Sequence, residues 1–292
     1  MIKMTEKKNN SGLKHGMGIR ARRILAYVVL SVITVLCLFW FYVLFINATR
    51  SNGELQRGFT MIPSSHLREN WTNLVEGTLP IWTGLKNSLI VASLSAAVCV
   101  YFSVMTAYAI HAYDFKLKKY IYPFILMIMM IPTQVTALGF VDLVTDLKLV
   151  NTFVPLVVNT IASPVVFFYM KQYMESSLPL ALIEAARIDG SGEFHTFNRI
   201  VLPLMKPAIA VQAIFSFVTS WNNYFVPALI LKKDDVKTLP ILIAQLRSAD
   251  WLKFDMGQVY TMVAFSIFPV IIVYLILSRQ IIQGVAIGSV KG

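Results

Sequence analysis

Charge is scarce in this chain. Of its 292 residues only 14% are Asp, Glu, Lys or Arg, while 57% are hydrophobic. A soluble domain carries about 25% charged residues, so the deficit points to a membrane protein before any motif is read. Cysteine is nearly missing. Cys37 and Cys99 both sit in apolar runs and form neither a disulfide pattern nor a metal-binding one. The sequence has no G-x-x-x-x-G-K-[ST], no H-E-x-x-H, no C-x-x-C and no G-x-S-x-G. It therefore lacks the phosphate-cradling loop, the zinc helix and the nucleophile elbow. The four histidines, His15, His66, His111 and His195, are far apart and are accounted for as surface residues. The long apolar runs hold no Asp, Glu, Lys, Arg or His. Carriers driven by ions or protons place such groups at membrane depth. Their absence weighs against a self-contained secondary transporter and against a cargo held by counter-charge.

Apolar length is abundant. A bilayer core takes about 20 apolar residues per helix, and six runs reach that length: Ile24–Ile46, Ser88–Ile110, Tyr120–Val141, Asn151–Met170, Ala208–Leu231 and Met256–Ser278. Each must be helical, because an open strand leaves backbone groups unpaired in lipid. The expected fold class is all-α, a polytopic membrane protein of six transmembrane helices. The first run exceeds the roughly 7–15 residues of a signal-peptide core and reads as a retained anchor. Residues 1–23 form a basic tail with seven Lys/Arg against Glu6. Beside an apolar span, that charge suits anionic lipid and topology, not nucleic acid. Residues 24–292 form the membrane domain. With the N-terminus inside, the inner segments carry 16 of the 26 Lys and Arg, so both termini are expected in the cytoplasm. The spans contain Pro123, Pro132, Pro155, Pro164, Pro227 and Pro269, each able to bend its helix.

Between the fourth and fifth runs, residues 171–207 are soluble in character. Ser176 or Ser177 can cap a helix with Pro179 in its first turn, and Gly190 suits the left-handed residue that stops it. Pro179 to Asp189 spans about 16 Å, too short to cross a bilayer. Glu184 and Arg187 are spaced to pair, and Phe194 and Phe197 to share one side of a second short helix. Pro203 and Pro207 break the path into the fifth run. The segment reads as a rigid elbow on the cytoplasmic side. Ala185 and Ala186 are small enough for another surface to approach the backbone closely. An amphipathic helix lying flat on the membrane is the plainer account.

The elbow resembles the signature loop of the membrane subunits of binding-protein-dependent ABC importers, at Glu184, Ala185, Ala186, Gly190, Ile200, Leu202 and Pro203. The stretches Glu184-Ala-Ala-Arg-Ile-Asp-Gly190 and Arg199-Ile-Val-Leu-Pro-Leu-Met-Lys-Pro207 are similar to the carbohydrate-uptake branch. They look most like the smaller permease of maltose-type systems, as do Trp221-Asn222 and the closing Gly288-Ser-Val-Lys-Gly292. The resemblance covers residues 24–292 and implies a type I importer permease whose elbow is a coupling helix. It implies a second homologous permease chain, two ATPase subunits that hold the ATP and magnesium, and an extracytoplasmic solute-binding protein. It also implies that the outer loop Lys232–Asp255 touches that binding protein and that the C-terminal tail runs along the ATPase interface. The chain itself is expected to be no enzyme and to hold no cofactor.

Uncharged polar groups are present in the runs instead, among them Gln134, Asn159, Thr160 and the group Trp221, Asn222, Asn223, Tyr224. Amides and an indole suit hydroxyl-rich solutes, so Asn159, Trp221, Asn222, Asn223 and Tyr224 are candidate path residues for a sugar, specifically an oligosaccharide. The competing role is hydrogen bonding between helices. Glycerol phosphate, a polyamine or a peptide are alternative cargoes, and a polytopic enzyme or scaffold holding a soluble partner is an alternative use of the elbow.

Overall fold

The computed structural model describes residues 14–248 and 255–289. Residues 1–13 of the basic tail, Asp250 and Trp251 of the outer loop, and Lys291-Gly292 lie outside the described residues. Among the described residues the structure is helical, with no strand. Helix α1 (Lys14–Ala48) contains the first apolar run. It is exposed over most of its length and packs on the last long helix. Two short helices follow, α2 (Asn52–Gln56) and α3 (Leu67–Val75). Ser51 and Glu54 close a capping box on α2, satisfying backbone donors that its first turn would leave free. Asn70 on α3 is buried and donates to the carbonyls of Ala48 and Arg50, joining α1 to α3.

Helix α4 (Ile81–Ala112) is the central element. Its 32 residues span about 48 Å, and its interior has no proline. Buried positions recur along its full length, from Ile81 through Ser95 to Ile110.

Three of the six runs are not the single helices expected of them. The third divides into α5 (Lys118–Ile128) and α6 (Thr133–Asp146), bent by 99°. Pro132 causes the break: it restricts Ile131 to extended backbone and cannot donate to the preceding turn. Pro123 lies within α5 without ending it. The fourth run divides into α7 (Val154–Val158), a tight turn at Asn159–Ile161, and α8 (Pro164–Ser177). Ser163 caps α8 by accepting from the Val166 N–H. Pro155 and Pro164 sit in first turns, where the missing N–H costs nothing.

The fifth run divides into α12 (Lys206–Trp221) and α13 (Phe225–Ile230). Pro227 cannot donate to the carbonyl of Asn223, so the ladder lapses at residues 222–224. The sixth run, α15 (Met256–Ser289), continues through Pro269. Among the described residues four stretches are long and apolar enough to cross a membrane unaided, and up to six if each of two bent pairs, 118–146 and 193–221, is one span.

The elbow holds α9 (Leu180–Ile188), α10 (Glu193–Thr196), a wide turn at Phe197–Val201 and α11 (Leu202–Leu204). Its second half meets α12 at 81°. At the opposite end, α14 (Leu239–Arg247) buries Leu239 and Leu242. The segment after residue 232 is thus packed structure and not a plain solvated loop. One core, with Val104, Phe167, Met170, Ile183, Phe197 and Met205, roots the elbow in the bundle. Another, with Leu74, Phe217, Trp221, Leu242 and Met262, fills the opposite end.

Candidate functional site: an elbow and a polar cavity

The elbow begins at Pro179, which precedes α9 directly. Ser176 and Ser177 end α8 and cap nothing in α9; Ser176 donates back to the Tyr173 carbonyl. Gly190 has φ +78° and stops α9 as the sequence suggests. The Ser191 N–H reaches the Ala186 carbonyl at 2.9 Å and the Gly190 N–H reaches the Arg187 carbonyl at 3.0 Å. This paired closure satisfies carbonyls that the last turn would leave free.

Within α9, Ile183 and Ala186 are buried, whereas Glu184, Ala185 and Ile188 face outward. Further on, Ile200 and Leu202 are half-buried and Pro203 is exposed. The expected pairing of Glu184 with Arg187 is not made. Arg187 Nε instead donates to Glu193 Oε1 at 2.7 Å, because the reversal at Gly190 brings Glu193 back alongside α9. Phe194 and Phe197 do not share a side: Phe194 is 74% exposed and Phe197 is 3% exposed. Phe197 packs edge-to-face on Tyr101 and at a tilt on Tyr108 of α4, each at a ring distance of 5.6 Å. The apolar face of α9 is already spent on the bundle through Ile183 and Ala186. Ile188, 85% exposed, and Phe194 are apolar side chains directed away from it.

Within the bundle a cavity of about 470 Å³ is lined from α4, the turn at Asn159–Ile161, α8 and α12. Gln212, Ser216, Thr219, Ser220 and Asn223 face it from the α12 side, and Ser88, Ser95 and Cys99 from α4. Asn159, Thr160, Ser163 and Thr238 complete its polar wall. No Asp, Glu, Lys, Arg or His is among its lining residues. The hydroxyl oxygens of Ser95 and Thr238 are buried without a hydrogen-bond partner. Of the candidate path residues, Asn159 and Asn223 line the cavity. Trp221 is buried and stacks on Phe217, ring centroids 5.7 Å apart. Asn222 and Tyr224 are exposed and off the cavity wall, as is Gln134.

Gln212, the wall serines and the wall threonines other than Thr160 are not among the polar residues that the sequence singles out. Their signal was spacing: positions 212, 216, 219 and 220 recur at three- and four-residue intervals from 212 and 216, one face of a helix. A wider recess of about 680 Å³, lined by Asn47, Arg50, Asn52 and Tyr260, opens at the far end of α1. Arg50 there hydrogen-bonds Asn47 Oδ1 and the carbonyls of Glu54 and Gly58. It holds a loop, away from the polar stripe.

Residues 99–287 match the family model described as "Binding-protein-dependent transport system inner membrane component". An arabinooligosaccharides transport system permease protein, AraQ of Halalkalibacterium halodurans, is 34% identical over 255 residues, covering 85% of this chain and 89% of the relative. The protein of the same name from Bacillus subtilis is 32% identical over 286 residues, covering 96% and 100%. In structure the chain is similar to a component of a bacterial ABC transporter involved in the import of the acidic polysaccharide alginate. The TM-score there is 0.75 at 20% identity, over 94% of this chain and 99% of that one, a likeness of fold. The model match covers more than half the chain, and full-length relatives stand near one third identity. This multi-pass membrane protein therefore belongs to the family of binding-protein-dependent transport system inner membrane components.

Proposed function

We propose that this chain is one of two membrane subunits of an ATP-driven importer and forms half of the translocation path for an oligosaccharide. The observation that carries the cargo class is the cavity: hydroxyl and amide groups share its wall with apolar side chains, and no Asp, Glu, Lys, Arg or His lines it. A sugar meets such a wall through many neutral hydrogen bonds, whereas a phosphate or a polyamine calls for opposite charge. The AraQ relatives, permease proteins of arabinooligosaccharide transport systems, support the same class. Asn159 and Asn223 are the proposed cargo contacts. The break that carries Trp221, Asn222 and Tyr224 turns Asn223 toward the cavity, and buried Trp221 anchors that break.

On this reading the elbow docks on an ATPase subunit. Glu184 and Ala185 form the outward face beside Ile188, Ala186 seats the helix on the bundle, and Gly190 sets its end. Ile200, Leu202 and Pro203 shape the bend into α12. ATP and magnesium belong to the ATPase subunits, and this chain performs no hydrolysis. Both termini and the elbow are cytoplasmic, and a solute-binding protein delivers cargo at the opposite face. Closure of the ATPase pair brings the two elbows together and switches the path between inward and outward.

The test is ATP hydrolysis by the purified complex with its binding protein, across a panel of oligosaccharides, glycerol phosphate and spermidine. Stimulation by neutral oligosaccharides alone is expected. Stimulation by a charged solute and by no sugar overturns the reading.

A further inference from the structure

Glu193 stands outside the signature positions, yet it gathers three elements. Its Oε1 accepts from Arg187 Nε of α9 at 2.7 Å. Its Oε2 accepts from the Tyr108 hydroxyl of α4 at 3.0 Å and from the Tyr113 hydroxyl just beyond α4. The Arg187 guanidinium lies 5.1 Å from the centre of the Tyr113 ring. His111, in the last turn of α4, places Nε2 2.9 Å from the Leu178 carbonyl at the entrance to α9. One end of α4 is thus fastened to both sides of the elbow's first helix.

The other end of α4 is fastened as firmly. The buried Asn87 amide donates to the carbonyls of Asp235 and Lys237, both at 2.9 Å. Ser88 Oγ accepts from the Leu239 N–H at 2.8 Å. From Asn87 to Tyr108 the helix runs about 32 Å without proline, packed through Ala92, Val104 and Ala107, each 0% exposed. The bent and broken spans contain the hinges; α4 contains none. It also lends Ser88, Ser95 and Cys99 to the cavity wall between its two fastenings.

We propose that Glu193 is a positioning residue that locks the elbow to α4 through Tyr108 and Tyr113, making α4 the rod that passes the elbow's displacement to the cavity and to the loop held by Asn87. The inference rests on the elbow being a docking element. Both fastenings act on one proline-free element, so a displacement imposed at one end is carried to the other; coupling then requires that α4 take two positions which both sites bias.

The test uses the complete transporter, purified through a tag on this chain and reconstituted with its binding protein. The readout is sugar taken up per ATP hydrolysed, which a residue that merely staples the fold leaves unchanged in assembled complexes. Glu193→Gln and the volume-preserving pair Tyr108→Phe/Tyr113→Phe are each expected to lower that ratio about fivefold, the low end of couplings between distinct sites. Combining them is expected to do no more than either alone, because they break one junction. Asn87→Ala is expected to lower the same ratio and to be non-additive with Glu193→Gln. A normal ratio in either clamp variant overturns the inference, as do effects that simply multiply. In the same preparations, Ala185→Cys is crosslinked to the ATPase. Loss of that crosslink in the otherwise native chain overturns the docking reading itself. An intact crosslink beside a normal ratio in the clamp variants overturns the rod alone.

Discussion

Gly190 has room for a side chain but not the backbone for one. A Cβ built there meets nothing within 4 Å, yet φ is +78°. Left-handed backbone costs most L-residues about 1–2 kcal/mol, while Asn tolerates it through local hydrogen bonds. Gly190→Val is therefore expected to lower uptake per ATP, and Gly190→Asn to leave it near normal; equal behaviour of the two removes the backbone from the account. Glu193 makes a second residue-scale prediction. Its carboxyl is held below the usual carboxylate range, first by the Arg187 hydrogen bond and then by that of Tyr113. Burial, and next the bond to Glu193, push the Tyr113 phenol up. A lowered acid stabilises the fold above its ordinary value and loses that contribution as pH falls through the folded value. The melting-temperature gap between the native chain and Glu193→Gln should hold steady from about pH 6 to 8 and close below about pH 4. A gap that opens instead as pH falls contradicts the clamp's charge state. Asn223 and Asn222 separate in the same way. With Asn223 on the cavity wall and Asn222 off it, Asn223→Leu should raise the KM for uptake several-fold, about what one lost hydrogen bond is worth. Asn222→Leu should leave KM unchanged, and equal KM values in the two variants detach the cavity from the path.

At the scale of elements, the six apolar runs and the elbow were legible because length and hydropathy dictate a membrane helix almost regardless of context. The breaks were not. Pro132 stands at a break between helices while Pro123 and Pro269 lie inside helices that continue. A proline in the sequence is the same residue in all three places and does not say which of the two it will do. Similarly, the Gly190 stop is written in one residue. The Arg187–Glu193 pair spans a chain reversal, so local spacing favoured Glu184 as the partner. The cavity was legible in part: the amides Asn159 and Asn223 stand out among apolar residues, whereas small hydroxyls are ordinary in membrane helices and show their meaning only once α4 and α12 are side by side. The junction of α1, α3 and α15 was not foreseen at all. A Cβ on Gly257 of α15 would lie 2.7 Å from the Arg50 carbonyl and 2.8 Å from the Asn70 amide, and backbone cannot retreat as a side chain tip can. Gly257→Ala is expected to destabilise the protein by about 1–3 kcal/mol, read as a lowered melting temperature in detergent. Gly84→Ala meets only the end of Leu242 at its closest contact and should cost less; a reversed order places the rigid junction elsewhere.

For the molecule as a whole, the proposed division of labour rests on what the chain itself carries. The chain encloses a neutral polar cavity between helices and carries no phosphate-binding loop. Its elbow presents Ile188 and Phe194 outward after the same helix has already buried Ile183 and Ala186 in its own bundle. A carrier that worked alone would need an internal source of drive, such as a titrating group at depth, and the six runs hold no Asp, Glu, Lys, Arg or His. The purified chain in liposomes is therefore expected to accumulate no oligosaccharide, with or without a proton or sodium gradient. Accumulation should appear when the second permease chain, the ATPase subunits with ATP and the binding protein are all present, and it should vanish when any one is withdrawn. Uphill uptake by the lone chain would mean that the energy enters through the bundle itself, and the elbow would then lose its reason to face outward.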